Sequence, residues 1–264
     1  MKNFSRLWNA LSWVRSIFVF DLVIYFYTII LGTLSLISSL FDPEGRIQHR
    51  FARLWSWLIL HTIFCPVRVT GLDRLDRSRP HVFAANHISA LDIPVLYNYL
   101  PFQFRIIAKK ELFRYPFMGW HLRRSGQIPI DRDSALASMR SLARGADSLR
   151  GGMPLVVFPE GGRSPNGQIQ PFMSGAFYIA IKAGVEVIPM AVAGTYEVLP
   201  MNTYHIRPGP IELVLGEPIS TAGYGLRDMD VLAARVQKAV EDLYYSRSRV
   251  PDPRPAAGAM GSQA

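Results

Sequence analysis

The feature that most limits how this chain can fold is a series of short apolar runs that alternate with helical patterns between about residues 66 and 220. Runs such as 155–158 and 187–192 are apolar without interruption, which is typical of strands that helices cover on both faces. The alternation predicts an α/β domain over residues 66–246, with a largely parallel sheet flanked by helices. Strands are predicted at residues 67–70, 81–85, 105–108, 127–130, 155–158, 187–192 and 212–216, and helices at 90–99, 134–149, 174–182 and 229–245.

The N-terminal segment, residues 1–65, has a different pattern. Residues 22–41 form a run of 20 uncharged residues, which is long enough to span a bilayer, whereas a second apolar run, residues 54–67, has only 14. A turn at residues 42–45 joins the two runs. We predict a helical membrane-anchoring hairpin that lies in one leaflet. Two alternatives are a single span by the first run and a secretory signal peptide, although no clear cleavage site follows that run.

The charge balance favours anionic partners. The chain has 29 Lys and Arg residues against 20 Asp and Glu residues, a formal net charge of +9. Such a surplus suits nucleic acid, a membrane surface or phosphorylated substrates. Because no zinc-finger spacing or RNA-binding signature supports nucleic acid, we expect membrane lipids and phosphate instead. Arg46, Arg50 and Arg53, beside the second apolar run, are expected to meet lipid phosphates.

Composition and missing motifs exclude several other classes. With 49% apolar and 19% charged residues, the chain is not disordered as a whole, and disorder is predicted only for a tail at residues 247–264. The single cysteine, Cys65, excludes an intramolecular disulfide and a cysteine zinc cluster. The sequence has no P-loop, no dinucleotide fingerprint, no G-x-S-x-G elbow and no H-E-x-x-H motif, which argues against nucleotide-binding proteins, ordinary serine hydrolases and zinc proteases.

The first candidate catalytic segment is N-H-I-S-A-L-D, residues 86–92, directly after a predicted strand. Five residues on an ideal helix rotate by about 140°, so His87 and Asp92 cannot share a helix face. They can meet if His87 lies in the strand-to-helix turn and Asp92 in the first helical turn. Asp92 would then orient the imidazole and leave its other ring nitrogen free as a general base. The alternative is a capping box formed by Ser89 and Asp92, which has no catalytic role.

The second candidate segment is F-P-E-G-G-R-S, residues 158–164, after another buried strand. Its two glycines allow backbone N–H groups to turn inward as an anion site, and Arg163 adds a planar, permanently charged fork. The alternative is a tight turn with a solvated arginine. Further charged residues follow the strands at 105–108 and 127–130, at what we expect to be the same sheet edge, although structural salt bridges would explain them equally well.

These segments occur in the order N-H-x-x-x-x-D, K-x-E-L-x-x-x-P-x-x-G with G-x-I-x-I-D-R, F-P-E-G-x-R-S and V-I-P-x-A. In that order they resemble the sequence blocks of the glycerolipid acyltransferase family, which includes the bacterial 1-acyl-sn-glycerol-3-phosphate acyltransferases. The resemblance covers roughly residues 67–217, and residues 1–65 look like the membrane-docking helices of bacterial members. One departure lies in the third block, which usually reads E-G-T-R, because Gly162 here replaces the threonine.

The resemblance implies a role for each matching residue. His87 would be the general base and Asp92 the partner that orients it, with Arg163 as the main ligand of the acceptor phosphate. Substrate binding as a whole would fall to the second and third blocks, through Lys110, Arg132, Glu160, Gly161 and Arg163. Neither a metal nor another cofactor is implied.

The implied reaction moves a fatty acyl group from acyl-CoA or acyl carrier protein to the 2-hydroxyl of lysophosphatidic acid, which forms phosphatidic acid for phospholipid synthesis. A thioester is already activated, so no covalent enzyme nucleophile is needed, but the acceptor hydroxyl requires a base to take its proton. Because the donor is made in the cytoplasm and the acceptor is a membrane lipid, we expect the protein at the cytoplasmic face of the cell membrane.

Three alternatives to this function remain. The acceptor could be glycerol-3-phosphate, another lysophospholipid or a lyso-aminolipid. The chain could instead be a non-catalytic membrane lipid-binding protein, although the intact His87 and Asp92 argue against that. A lipid hydrolase would release free fatty acid from the thioester without an acceptor.

Overall fold

A computed structural model describes residues 2–131 and 133–254, and it contains the seven predicted strands. Two short helices, Met118–Arg124 and Thr195–Val198, were not predicted, because segments of 7 and 4 residues carry too little periodicity to recognise. The strands are β1 (Val67–Thr70), β2 (Val82–Ala85), β3 (Arg105–Lys109), β4 (Ile128–Ile130), β5 (Leu155–Val157), β6 (Val187–Ala193) and β7 (Ile211–Leu215). The helices are α1 (Lys2–Arg15), α2 (Leu22–Ser38), α3 (Arg46–Thr62), α4 (Asp92–Tyr99), α5 (Met118–Arg124), α6 (Ala135–Arg150), α7 (Tyr178–Ala183), α8 (Thr195–Val198) and α9 (Met229–Tyr245).

The strands form one sheet in the order β1-β7-β6-β2-β5-β3-β4. Every neighbouring pair is parallel except β6 and β7, which are antiparallel. In the centre, Val82 of β2 lies opposite Leu155 of β5 on one side and Val187 of β6 on the other. The predicted α/β fold with a largely parallel sheet is therefore confirmed. The carboxyl ends of β2, β3, β4, β5 and β6 lie at one edge, whereas β1 and β7 run in the opposite direction.

Both faces of the sheet are covered by helices, as continuous apolar strands require. Phe83 and Ala85 of β2 belong to an apolar cluster that includes residues of α3 and α4. Val82 and Ala84 belong to a second cluster, with residues of α6, α7 and α9. All residues of β2 and β6 are buried. The core therefore consists of two layers, one on each side of the sheet.

The N-terminal segment forms a helical hairpin. A π-helical turn, Ser16–Asp21, joins α1 and α2 into one helix, and residues Trp8–Ser38 are long and apolar enough to cross a membrane by length and composition. The chain then turns at residues 42–45, where the N–H of Gly45 donates to the carbonyl of Asp42 at 3.3 Å. The Asp42 carboxylate accepts the N–H of Ile47 in the first turn of α3.

Two serines attach the long helix to the α/β domain, one near its middle and one near its C-terminal end. The Ser16 hydroxyl donates to the carbonyl oxygen of Tyr204 at 2.6 Å and accepts the N–H of Ile206 at 2.8 Å. About five turns further on, the Ser35 hydroxyl lies 3.1 Å from Nδ1 of His121 in α5. Both serines are buried. The helix therefore lies along the flank of the domain.

Two regions differ from the sequence-based expectations. Arg53 does not face outward, because its guanidinium donates to the carbonyl oxygens of Leu100 and Asn98 at the end of α4, at 2.9 and 3.2 Å. At the other end of the chain, residues 247–254 belong to the predicted disordered tail, yet Arg254 donates to Asp242 of α9 at 2.6 Å and Val250 packs against the core. Residues 255–264 of that tail lie outside the described residues.

Candidate active site

The His87 side chain lies at the carboxyl end of β2, in the turn that leads into α4. Its Nδ1 is 2.9 Å from Oδ2 of Asp92, the first residue of α4. This is the arrangement predicted from the five-residue spacing. A carboxylate accepts hydrogen bonds, so a neutral His87 carries its hydrogen on Nδ1 and has a lone pair on Nε2. The imidazole is 19% exposed and lines a groove, so Nε2 can act as a base on a bound molecule.

Asp92 is fully buried and its two oxygens accept four hydrogen bonds. Oδ2 accepts the N–H groups of Ile88 and Ser89, at 2.7 and 2.9 Å, in addition to His87. Oδ1 accepts the hydroxyl of Thr195, at 2.6 Å, from the start of α8. The bond from the Ser89 N–H is one half of the capping box considered above. Asp92 thus caps the turn and orients His87 at the same time.

The preceding residue, Asn86, fixes where the turn begins. Its side-chain amide is buried, donates to the carbonyl of Val192 at 3.0 Å and accepts the Val192 N–H at 2.8 Å. The Asn86 side chain therefore makes the hydrogen bonds to β6 that a neighbouring strand's backbone would otherwise make. The Asn86 backbone itself leaves the sheet at this point. Sequence reasoning missed this role and that of Thr195, because both contacts join residues more than 100 positions apart.

The segment 158–164 surrounds the His87 residue on three sides. The Phe158 ring stacks on the imidazole with 4.2 Å between centroids and 26° between planes. Glu160 accepts the His87 N–H at 2.6 Å, and the Ser164 N–H donates to the His87 carbonyl oxygen at 2.9 Å. β2 and β5 are neighbours, so the two loops that follow them are in direct contact. The loop therefore fixes both the backbone and the ring of the candidate base.

Glu160 differs from its predicted role in acceptor binding. Its second oxygen accepts the N–H of Gln170 at 2.7 Å, so each carboxylate oxygen already has a backbone donor. Burial raises the pKa of Glu160 to about 8, and the nearby Asp92 charge adds to that rise, while the two N–H donors oppose it. Glu160 ties the His87 loop to the segment at Gln170, and it does not line the groove.

Arg163 lies on the groove beside His87. The groove has a volume of about 620 Å³ and is open to solvent. Within residues 2–131 and 133–254, the exposed Arg163 guanidinium has no hydrogen-bond or ion-pair partner, so its charge is available to a bound anion. The remaining walls are mainly apolar, and they include Ile93, Ile106, Ile107, Leu112, Ile130 and Leu142. A positive site and an apolar channel therefore share one opening with the base.

Gly161 contributes to this loop in a way that differs from the predicted anion site. Its N–H donates to the Phe158 carbonyl at 2.9 Å and closes a turn, for which its φ of +76° is suited to glycine. The Gly162 N–H has no acceptor among the described residues, so it remains available to an anion.

Of the two remaining predicted residues, Lys110 does not line the groove. The Lys110 ammonium is paired with Asp131 at 2.6 Å and with Asp133 at 3.3 Å, which matches the alternative of a structural salt bridge. Its neighbour Lys109, the last residue of β3, lines the groove instead. Arg132 lies outside the described residues, so its predicted role stays a prediction.

Comparison with known proteins gives concordant results. Residues 66–193 match the sequence profile of the family described as Acyltransferase. The chain is 34% identical over 183 residues to the chloroplastic 1-acyl-sn-glycerol-3-phosphate acyltransferase LPAT1 of Arabidopsis thaliana, which covers 68% of this chain and 51% of that protein. It thus spans about half the length of such plant and algal relatives.

A bacterial relative is matched almost over its whole length. The 1-acyl-sn-glycerol-3-phosphate acyltransferase of Pseudomonas aeruginosa is 30% identical over 236 residues, which is 85% of this chain and 90% of that protein. Among solved structures, the 1-acyl-sn-glycerophosphate (LPA) acyltransferase PlsC from Thermotoga maritima has a TM-score of 0.69 and 27% identity, and the match covers 90% of this chain and 97% of that one.

Proposed function

The chain belongs to the acyltransferase family of these relatives, and we propose that it transfers a fatty acyl group to the 2-hydroxyl of lysophosphatidic acid, forming phosphatidic acid. The donor is a thioester, acyl-CoA or acyl carrier protein. The observation that carries the proposal is the His87–Asp92 pair, which opens onto a groove with mainly apolar walls and the exposed Arg163 guanidinium. A molecule with a hydroxyl, a phosphate and a fatty chain suits these three surfaces together.

The geometry supports direct transfer with general-base catalysis. Nε2 of His87 takes the proton of the acceptor hydroxyl as its oxygen attacks the carbonyl carbon of the thioester. The tetrahedral intermediate then expels the thiolate, and the His87 imidazolium returns the proton to the sulfur. The Asp92 carboxylate keeps the imidazole in one tautomer and stabilises the imidazolium. Arg163 holds the acceptor phosphate by charge-assisted hydrogen bonds, so that the hydroxyl faces His87.

The decisive test is product analysis with the purified protein. It is offered one acyl-CoA and then one acyl carrier protein, each with lysophosphatidic acid, glycerol-3-phosphate, a zwitterionic lysophospholipid and a lyso-aminolipid. We expect thiol release that depends on lysophosphatidic acid, with phosphatidic acid as the lipid product. Release of free fatty acid without an acceptor would indicate a hydrolase, and absence of thiol release from folded protein would indicate a lipid-binding protein.

We also propose that the N-terminal hairpin lies in the cytoplasmic leaflet of the cell membrane. Ser16 and Ser35, which attach the long helix to one domain, are 19 residues apart, or about 28 Å along a helix. That length approaches the roughly 30 Å of the hydrocarbon core. If the helix spanned the bilayer, Tyr204 and His121 of the same domain would lie near opposite membrane surfaces. A helix that lies along the domain avoids placing the charged domain in lipid.

Thiol labelling on intact cells tests this topology. A cysteine replaces Asn3 in a Cys65→Ser background, and a second variant carries a cysteine at Ser248 of the domain as the control. A membrane-impermeant reagent should label both positions only after permeabilisation. Labelling at position 3 from outside, with position 248 protected, would establish a spanning helix.

A further inference from the structure

The segment Tyr115–Trp120 exposes an unusual density of large apolar side chains for the surface of an α/β domain. Tyr115, Phe117, Met118 and Trp120 are all exposed, with Phe117 at 62% and Trp120 at 49%. The Phe117 and Trp120 rings lie 5.3 Å apart, so they form one patch. Exposed apolar patches of this kind mark interaction surfaces. We refer to residues 115–120 as the aromatic loop.

The aromatic loop is held rigidly in this exposed position. Phe117 has a φ of +59°, which is costly for a residue with a large side chain. The N–H groups of Gly119 and His121 donate to the carbonyls of Tyr115 and Phe117, both at 2.8 Å. Gly119 is buried against Phe113, and any Cβ there would collide with the Phe113 carbonyl. The surrounding backbone therefore maintains the strained Phe117 conformation and presents its ring to the outside.

The aromatic loop lies between the apolar hairpin and the active-site groove. On one side, His121 directly after the loop contacts Ser35 of α2, the helix whose large apolar side chains face outward. On the other side, Leu112 and Lys109 precede the loop and line the groove that contains His87. The loop therefore lies, along the chain, between a wall of the groove and a contact with the hairpin.

The charge around the aromatic loop is positive. Arg114 and Arg124 are exposed beside it, Arg123 is exposed and donates to the Phe113 carbonyl, and Glu111 is the exposed acidic residue nearby in the chain. Tryptophan and tyrosine prefer the headgroup level of a bilayer, and flanking arginines pair with lipid phosphates. Apolar rings inside a basic rim are therefore complementary to the surface of an anionic bilayer.

We propose that the aromatic loop is a second membrane-insertion point, which places its rings at the headgroup boundary of an anionic phospholipid bilayer and sets the groove opening against the lipid surface. A lipid acceptor could then reach His87 by lateral movement, without leaving the bilayer. This benefit to turnover rests on the proposed acyl transfer, whereas insertion itself does not depend on catalysis.

Fluorescence of the full chain on vesicles tests insertion directly. In a Cys65→Ser background, Phe117→Cys carries a polarity-sensitive fluorophore, and Trp120→Cys is the second variant in case one of them misfolds. Val231→Cys, an exposed apolar position on α9 across the sheet, is the matched control. On phosphatidylethanolamine–phosphatidylglycerol vesicles, labels at 117 and 120 should shift to shorter wavelength and be quenched by spin-labelled lipids, while the label at 231 should not. If the labels at 117 and 120 on vesicle-bound protein show the same emission and the same lack of quenching as the control label, the proposal is wrong.

Kinetics separate insertion from the proposed function. The Phe117→Ala/Trp120→Ala double variant should raise KM for vesicle-embedded lysophosphatidic acid at least about ten-fold, since two aromatic side chains lose lipid burial. KM for a short-chain, water-soluble acceptor should not change, and the Leu226→Ala/Val231→Ala variant should behave as the parent. An equal rise for both acceptors would mean that the loop acts on the groove and not through the membrane. Insertion without any acyl transfer would uphold the loop's role and refute the proposed function.

Discussion

Strand β6 and helix α2 are both strongly apolar, yet they have opposite surroundings. Every residue of β6 is buried between helices, whereas Phe26 and Ile29 of α2 are 67% and 69% exposed. The long helix also differs from a helix on the surface of a water-soluble protein, because Ser16 and Ser35 are buried against the domain while most of its large apolar side chains are exposed. Apolarity therefore predicts that a segment avoids water, but the position of the small polar residues shows whether protein or lipid replaces the water.

The catalytic edge and the interface between the hairpin and the domain differ in how their buried polar groups are paired. At the catalytic edge, Asp92 has four donors and Glu160 has two, so both oxygens of each of these carboxylates are satisfied. At the interface between the hairpin and the domain, His49 of α3 is buried and its Nε2 has no partner among the described residues. The carboxylates beside His87 are thus fully paired, while the hairpin interface contains a buried ring nitrogen without a partner in the described part of the chain. The variants below test this contrast.

The largest effect is expected at the catalytic edge. His87→Ala removes the candidate base and should lower kcat by about 10²–10⁴-fold. The thermal midpoint should change little, since the ring is partly exposed. Steady-state kinetics and thermal unfolding of the same preparation check both expectations, and normal turnover in the folded variant would refute the mechanism.

Asp92→Asn should lower both the rate and the thermal midpoint. The amide cannot accept four hydrogen bonds, and it no longer specifies the His87 tautomer. If Asp92 served only as a capping residue, kcat per folded molecule would stay unchanged while stability fell.

The second effect concerns the hairpin interface and depends on pH. Burial and the nearby Arg53 lower the pKa of His49 from 6.5 to about 4. Between these values the unfolded chain binds more protons than the folded one, so stability is full above pH 6.5 and declines as pH falls toward 4. The difference between the two pKa values corresponds to at most about 3–4 kcal/mol of stability.

Unfolding in denaturant at several pH values measures this decline. His49→Phe should flatten the profile between pH 4 and 6.5, because phenylalanine does not titrate and retains the packing against Tyr97 and Phe104. His61→Phe, at the exposed end of the same helix, is the control and should leave the profile as it is. An unchanged slope in His49→Phe would show that other groups cause the acid sensitivity.

The strands and the His87–Asp92 pair could be predicted because their signals are local. Apolar runs bounded by glycine and proline give the strands, and adjacent parallel strands bring their carboxyl ends to one edge. The contacts of Glu160 and Thr195 could not be predicted, since they depend on the register between strands that lie far apart in the chain. The choice between Lys109 and Lys110 depends on a single position, because successive side chains of an extended chain point to opposite faces. No local pattern distinguishes two adjacent lysines.

The third effect compares two cations at the catalytic edge. Arg163→Ala should raise KM for lysophosphatidic acid about 10–100-fold and KM for the acyl donor much less, because it removes a charge-assisted ligand worth about 1.5–3 kcal/mol. Arg163→Lys should restore only part of the affinity, since an ammonium lacks the bidentate fork. Lys110→Ala is the matched control, and it should lower stability slightly without a selective effect on acceptor KM. A selective rise in Lys110→Ala, with none in Arg163→Ala, would reverse the assignment.

The smallest effect is expected at Gly162, where the related acyltransferases usually have threonine. A Cβ at this position would meet no atom within 4 Å, and its φ is not left-handed, so threonine fits without strain. Loss of glycine's freedom in the unfolded chain should raise stability by about 0.4–1 kcal/mol. The added hydroxyl stands beside the groove and should lower acceptor KM by a few-fold, as expected for one neutral hydrogen bond of about 0.5–1.5 kcal/mol.

Gly161→Thr is the matched comparison variant and should have the opposite effect. The φ of Gly161 is +76°, which strains any side chain, so the turn beside His87 would open. Gly162→Thr should therefore raise the thermal midpoint and lower acceptor KM, whereas Gly161→Thr should lower the midpoint and raise KM. Destabilisation by Gly162→Thr would show that the loop has no room for a threonine side chain.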